Sequence, residues 1–135
     1  MWEDLGKYIE KIANEQKKEK VKIVEIGVGK FQGISNYLKD KDNIELIMVD
    51  INPANENIIQ DDIFTPNLNI YKDTDILFSI RPPFEIQEPI MNLRDKLDCL
   101  LIIKPLFNED LNIKNKKMKL KNYGRASFFI YPNNK

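Results

Sequence analysis

Apolar side chains recur along this chain with two different periods, and the way the periods alternate predicts its architecture. Trp2, Leu5, Ile9, Ile12 and Ala13 fall three or four apart, with Glu3, Asp4, Lys7, Glu10 and Lys11 on the other faces. That spacing predicts an N-terminal amphipathic helix within residues 1–20. Val21–Ile26 then presents Val21, Ile23, Val24 and Ile26 immediately before Gly27, Val28 and Gly29. This reads as a strand and a glycine turn, and the polar stretch 30–40, carrying Phe31, Ile34, Tyr37 and Leu38, reads as the helix that follows. The apolar run 44–49 is too short for a helix and closes at Asp50-Ile51-Asn52-Pro53, where proline and asparagine end regular structure. Ile58 and Ile59 predict a short third strand, residues 75–80 a fourth that stops at Arg81-Pro82-Pro83, and 85–97 a helix through Ile86, Ile90, Leu93 and Leu97. Residues 99–103 form a nearly continuous apolar strand ended by Pro105. Wholly apolar strands that alternate with helices are what a parallel sheet covered on both faces requires, so the predicted class is α/β.

The pattern changes after Pro105. Residues 106–116 are polar, asparagine-rich and weakly periodic, and they predict no strong crossover helix. Residues 118–121 and Ala126–Tyr131 flank Asn122-Tyr123-Gly124-Arg125, which predicts an antiparallel hairpin with glycine supplying a left-handed turn residue. Asn133, Asn134 and Lys135 read as a frayed tail. The expectation is one domain over 1–135, with the helix in 1–20 and a sheet core over 21–131.

Composition removes several functions. The chain has 135 residues with 21 basic and 21 acidic side chains, no histidine and one cysteine. Without histidine there is no imidazole base, no Ser-His-Asp or Cys-His pair and no His-ligated zinc. Cys99 alone forms no intrachain disulfide and no cysteine cluster for metal, which points to a reducing compartment. A formal net charge of zero gives no global attraction to nucleic acid or to an anionic membrane. No apolar run is long enough to span a bilayer, and Trp2, Glu3 and Asp4 interrupt any signal segment, so a cytoplasmic protein is expected. Lys17, Lys18, Lys20 and Lys22 form either a phosphate-binding strip or a solvated helix end favoured by the helix dipole.

The chemistry gathers where strands end. Glu25-Ile26-Gly27-Val28-Gly29-Lys30-Phe31-Gln32-Gly33 lies where the first strand turns into the first helix, the place at which an open α/β sheet binds nucleotides. Gly27 allows a tight turn and Gly29 a close approach of ligand to backbone. The pattern is G-x-G-x-x-x-G, with Gln32 at the third glycine position of the dinucleotide fingerprint, which weakens a pyrophosphate reading. Asp50 follows Gly27 by 23 residues at the end of the second strand, near the spacing of about 20 expected for a carboxylate that grips ribose hydroxyls. Aspartate is also a residue that commonly opens a turn such as Asp50-Ile51-Asn52-Pro53. Asp61-Asp62-Ile63-Phe64 closes the third strand on the same edge, so a carboxylate there is placed to accept an adenine amino group, with Ile51 and Ile63 as apolar walls. As consecutive strand residues Asp61 and Asp62 would point to opposite faces, so no metal site is expected.

This ordered set resembles the S-adenosylmethionine-dependent methyltransferases of the Rossmann-like type. With Ser79-Ile80-Arg81-Pro82-Pro83 after the fourth strand, it also resembles a small archaeal family of uncharacterised proteins related to them. The resemblance spans about Val21 to Tyr131. It implies a single Rossmann-like three-layer domain, a mostly parallel sheet ending in an antiparallel C-terminal hairpin. It also implies an S-adenosylmethionine site in which Gly27 and Gly29 approach the methionine part, Asp50 holds the ribose and Asp62 meets the adenine amino group. Glu25, Ile51, Asp61 and Ile63 join that cofactor-binding set. Amino-group methyltransferases carry Asp or Asn before Pro-Pro-aromatic, whereas Arg81 precedes Pro82-Pro83-Phe84 here. A guanidinium only donates, so Arg81 is suited to a carboxylate or phosphate on a substrate, or to a salt bridge with Glu85 or Glu88. Ser79, Glu85 and Lys104 are further polar candidates near the same edge, and Tyr123 is either a ring against substrate or a packed turn residue. Few segments are left to cover a substrate, so a homodimer partner would supply a lid, or the chain is a catalytically reduced relative. Two other readings stay open: an NAD-binding redox sensor, and an interaction scaffold whose pocket is a relic.

Overall fold

The computed structural model describes residues 2–105 and 117–132, and the expectations placed on 106–116 and on Asn133, Asn134 and Lys135 lie outside them. The described elements are α1 (Trp2–Glu15), β1 (Val21–Ile26), α2 (Gly33–Leu38), β2 (Ile44–Asp50), β3 (Ile59–Gln60), α3 (Leu68–Tyr71), β4 (Ile76–Ile80), α4 (Phe84–Leu97), β5 (Leu100–Lys104), β6 (Lys119–Tyr123) and β7 (Ala126–Tyr131). Seven strands form one sheet in the order β3-β2-β1-β4-β5-β7-β6. The first five are parallel, and β7 runs antiparallel between β5 and β6. This is the α/β arrangement expected, a mostly parallel sheet with an N-terminal helix and a C-terminal antiparallel hairpin.

The two faces of the sheet come from the period-2 alternation of side chains along each strand. Val21 and Ile23 on β1, Ile76 and Phe78 on β4, and Leu100 and Ile102 on β5 pack against Leu5, Ile9 and Ile12 of α1 and Ile34 and Leu38 of α2. Val24, Ile26, Leu77, Leu101 and Ile103 face the other way, toward Tyr71 of α3 and Ile90, Met91 and Leu93 of α4. Each such side chain taken fully out of water contributes about 1.5–3 kcal/mol, which is why apolar runs on both parities locked these strands into the middle layer.

Several boundaries differ from the sequence reading. α1 stops at Glu15, short of the 1–20 segment expected, because Gln16 N–H turns back to the Ala13 carbonyl at 3.1 Å and Lys17 adopts a left-handed φ of 55°. The lysines beyond it therefore cap no helix. Lys18 bonds Asp75 at 2.8 Å, Lys20 the Asp42 carbonyl at 2.7 Å, and Lys22 the carbonyls of Ile70 and Lys72 at 2.9 and 2.7 Å. Their ammonium groups tie loops to the sheet. α2 occupies only 33–38 of the 30–40 stretch, and α3 has no counterpart in the expected elements because four residues are too few to show a period.

Two contacts join distant parts of the chain. The Arg94 guanidinium is buried at the end of α4, where it donates to the Cys99 carbonyl at 2.7 Å and to Asp95 and Asp98 at 3.1 and 3.2 Å, and lies 3.8 Å from the centre of the Tyr131 ring on β7. At the opposite face the Asp4 carboxylate on α1 accepts from the Arg125 N–H at 2.7 Å. A Cβ at Gly124, whose φ is +59°, would sit 2.6 Å from that carboxylate, so the hairpin turn needs glycine for close approach as well as for its left-handed backbone.

Candidate functional site

The order of strands reverses between β1 and β4, and a parallel sheet leaves a crevice at such a point because its crossovers run to opposite faces. A cavity of about 470 Å³ opens there. The turn after β1 forms its floor. Gly27 and Gly29 have φ of 69° and 62°, and nothing lies within 4 Å of where a Cβ on Gly29 would project. The backbone at Gly29 is thus bare toward the cavity. Gly27 N–H bonds the Val49 carbonyl at 2.9 Å, which fixes the turn against the end of β2.

Of the residues expected at the site, Gly27, Gly29, Asp50, Ile51, Asp61, Asp62, Ile63 and Arg81 all line this cavity. Asp50 at the end of β2 accepts from the Gly29 N–H at 2.7 Å through one oxygen and from the Asn52 N–H at 2.8 Å through the other. It therefore opens its own turn and also clasps the glycine turn of the neighbouring strand. A carboxylate has about four acceptor positions, so about two remain.

Asp61 and Asp62 follow β3 rather than lying on it, so the argument from opposite strand faces does not apply to them. Their contacts separate them instead. Asp61 accepts from the Tyr71 hydroxyl at 2.6 Å and from the Asn67 N–H at 3.1 Å, which pins α3 to the loop. Burial first, and then that bond, push the Tyr71 phenol far above its ordinary value, so it stays a neutral donor. Asp62 accepts only a local turn bond among the described contacts, from the Phe64 N–H at 3.0 Å. Of this pair, Asp62 keeps the greater acceptor capacity at the cavity wall.

Glu25 stands apart from the cavity lining. It points from β1 into the α1–α2 layer, 1% exposed, and accepts from the Ser35 hydroxyl at 2.5 Å. Burial pushes its carboxyl up to about 7 against the opposing pull of the Ser35 bond, and the charge of Asp50 pushes the same way as burial. Ser79 is also buried beneath the turn, where its hydroxyl donates to the Ile26 carbonyl at 2.7 Å. Tyr123 packs on Tyr8 with ring centres 5.2 Å apart and is not part of the cavity wall. Arg81 lines the cavity with a left-handed φ of 54°, and the ion pairs among the described residues include none from it to Glu85 or Glu88.

The sequence reading missed two aromatic rings at the rim. Phe31 and Phe64 stand 43% and 58% exposed there, beside the expected wall residue Ile51 at 52%, an unusual exposure of apolar surface around one opening. Trp2 meets the Phe31 ring edge-on at 5.8 Å, and that ring lies so close over Gly33 that a Cβ there would be 2.4 Å from it. Gly33, which ends the G-x-G-x-x-x-G pattern, was the available signal, since it leaves the space in which Phe31 sits.

Comparison with known proteins adds a family and a fold. The signature of an uncharacterised protein family, UPF0146, matches residues 4–133. A UPF0146 protein of Methanothermobacter thermautotrophicus is 39% identical over 131 residues, covering 97% of this chain and 95% of that one. A second, from Methanocaldococcus jannaschii, is 39% identical over 135 residues, covering 91% and 90%. Among solved structures, a mutant of MtNAS in complex with S-adenosylmethionine superposes with a TM-score of 0.55 at 14% identity, over 93% of this chain and 62% of that one. The chain thus spans less than two thirds of MtNAS. An S-adenosyl-L-methionine methyl transferase from Silicibacter pomeroyi superposes with a TM-score of 0.55 at 12% identity, over 96% and 89%. At such identities the likeness shows the fold, which is that of the α/β methyltransferases.

Proposed function

The chain belongs to the UPF0146 family, and we propose that it binds S-adenosylmethionine in the cavity at the ends of β1, β2 and β3 and aligns a small acceptor for methyl transfer. The observation that supports this best is the open Gly29 backbone facing the cavity, flanked by two carboxylates on successive strand ends. The cavity falls within the roughly 300–1,000 Å³ of small-molecule sites, at about 470 Å³. Bound there, the cofactor supplies an electrophilic methyl group on a sulfonium sulfur.

The protein's own part is to hold the cofactor. Asp50 takes the ribose diol with the acceptor positions that the Gly29 and Asn52 amides leave, and Asp62 takes the adenine amino group between Ile51 and Ile63. Asp61, already engaged by Tyr71 and Asn67, keeps the loop in place. Phe31 and Phe64 offer apolar surface at the rim against which a bound ligand can pack. Transfer of a methyl group from a sulfonium depends on alignment of nucleophile, carbon and sulfur more than on a protein base, so the lack of histidine does not exclude it.

The test is calorimetric titration of the protein with S-adenosylmethionine at two temperatures. Saturable micromolar binding is expected, and Asp50→Ala should weaken it at least tenfold, since each bond to a charged acceptor is worth about 1.5–3 kcal/mol. Asp50→Asn, which keeps an acceptor for Gly29, should lose less. Absence of heat up to millimolar ligand at both temperatures would overturn the proposal, and saturable binding of NAD instead would reassign the cavity.

A further inference from the structure

The residues assigned to the cofactor sit at the ends of β1, β2 and β3, on one side of the point where strand order reverses. On the other side, the ends of β4 and β5 bring two cations together. Ile80 pairs with Lys104 across the parallel ladder, and Arg81 N–H bonds the Lys104 carbonyl at 2.6 Å. Arg81 is exposed and lines the cavity, and Lys104 is half-buried at the neighbouring strand end, outside that lining. The ion pairs of the described residues are Lys11–Glu15, Lys18–Asp75, Lys41–Glu10, Arg94–Asp95 and Arg94–Asp98, so neither cation is matched by an acid among them.

Two features make this costly unless an anion fills the gap. Burial, and then the Arg81 charge, lower the Lys104 ammonium below its ordinary value, so a bound anion would relieve the repulsion between the two cations. Arg81 also holds a left-handed backbone that a residue with a Cβ adopts only under strain, and such strain collects where a side chain must be presented in one direction. Pro82 and Pro83 follow and fix the segment.

We infer that Arg81 and Lys104 form the acceptor subsite and that the acceptor is a small molecule with a carboxylate or phosphate, held by Arg81 as a fork and by Lys104 as a point charge. This rests on the cofactor reading above, because it places the acceptor on the β4–β5 side of the glycine turn. A small molecule is favoured over a polyanion, since the chain carries no net charge to attract one.

The experiment uses inorganic phosphate, with acetate as a second arm, titrated into ¹⁵N-labelled protein at ionic strength held constant with chloride. The amide signals of residues 81 and 104 should move together and saturate at millimolar phosphate or acetate, whichever the site prefers. Arg81→Ala and Lys104→Met should each weaken the response at least tenfold while the rest of the spectrum stays dispersed. Shifts scattered over surface lysines, or unchanged in both variants, would overturn the inference. S-adenosylmethionine titrated separately into the wild-type protein keeps the two readings apart. Its binding without anion shifts leaves the cofactor and removes this subsite, whereas anion shifts without its binding leave an anion site at the ends of β4 and β5 but overturn its role as an acceptor subsite.

Discussion

Glu25 provides a quantitative test of how the sheet is built. The sequence places it in the middle of an apolar strand, and the structure buries it against Ser35. Burial raises its carboxyl from an ordinary 4.5 to about 7, with Asp50 adding to the rise and the Ser35 bond opposing it. A group raised by folding favours the native state in its protonated form. Its contribution is therefore complete below pH 4.5, declines as pH rises to about 7, and is absent above that. At about 1.4 kcal/mol per pH unit, the span amounts to about 3 kcal/mol. Glu25→Gln keeps the shape and an acceptor for Ser35 but never ionises. Urea unfolding of wild type and variant between pH 4.5 and 8 isolates this group, since all others cancel in the difference. The variant should match the wild type near pH 4.5 and exceed its stability by about 3 kcal/mol at pH 8. A difference that does not vary with pH would refute the reasoning. A variant less stable at pH 8 would show instead that the fold favours the carboxylate over the acid, with the Ser35 bond outweighing burial.

Three further outcomes follow from particular contacts. Tyr71→Phe removes the bond that holds Asp61, and urea unfolding should register a loss of about 1.5–3 kcal/mol. Gly124→Ala introduces a Cβ against the Asp4 carboxylate, so it should destabilise the wild type more than the Asp4→Ala background, where the left-handed penalty of about 1–2 kcal/mol and one tight contact with the residue-4 Cβ remain. Equal losses in both backgrounds would mean that the turn and α1 are not coupled. Burial pushes the Cys99 thiol up to about 12, against a smaller opposing effect of Arg94. Labelling with a thiol reagent at pH 8 should therefore be at least about a hundredfold slower in the native protein than in urea.

The sequence by itself determined the layers. β1, β4 and β5 were legible to within one residue because strands buried on both faces must be apolar at nearly every position, and β2 because its short apolar run ends at Asp50-Ile51-Asn52-Pro53. The glycine turn was legible because glycine takes its two left-handed positions without the steric cost that a Cβ brings. The boundaries of α1 and α2 were less so, since a lysine continues a helix as readily as it follows one, and α3 is too short for any period. What the tertiary structure alone decided are relations between strands. Adjacent Asp61 and Asp62 are alike in sequence, and only the position of Tyr71 commits one to the fold and leaves the other to the cavity. Glu25 reads as part of a binding motif, yet strand parity turns it into the α1–α2 layer. Arg81 and Lys104 lie 23 residues apart in the chain and become neighbours through the register of β4 on β5. Hydrophobic burial acts on one segment at a time and is written locally, whereas charge acts between segments and takes its meaning only once the sheet has brought them together.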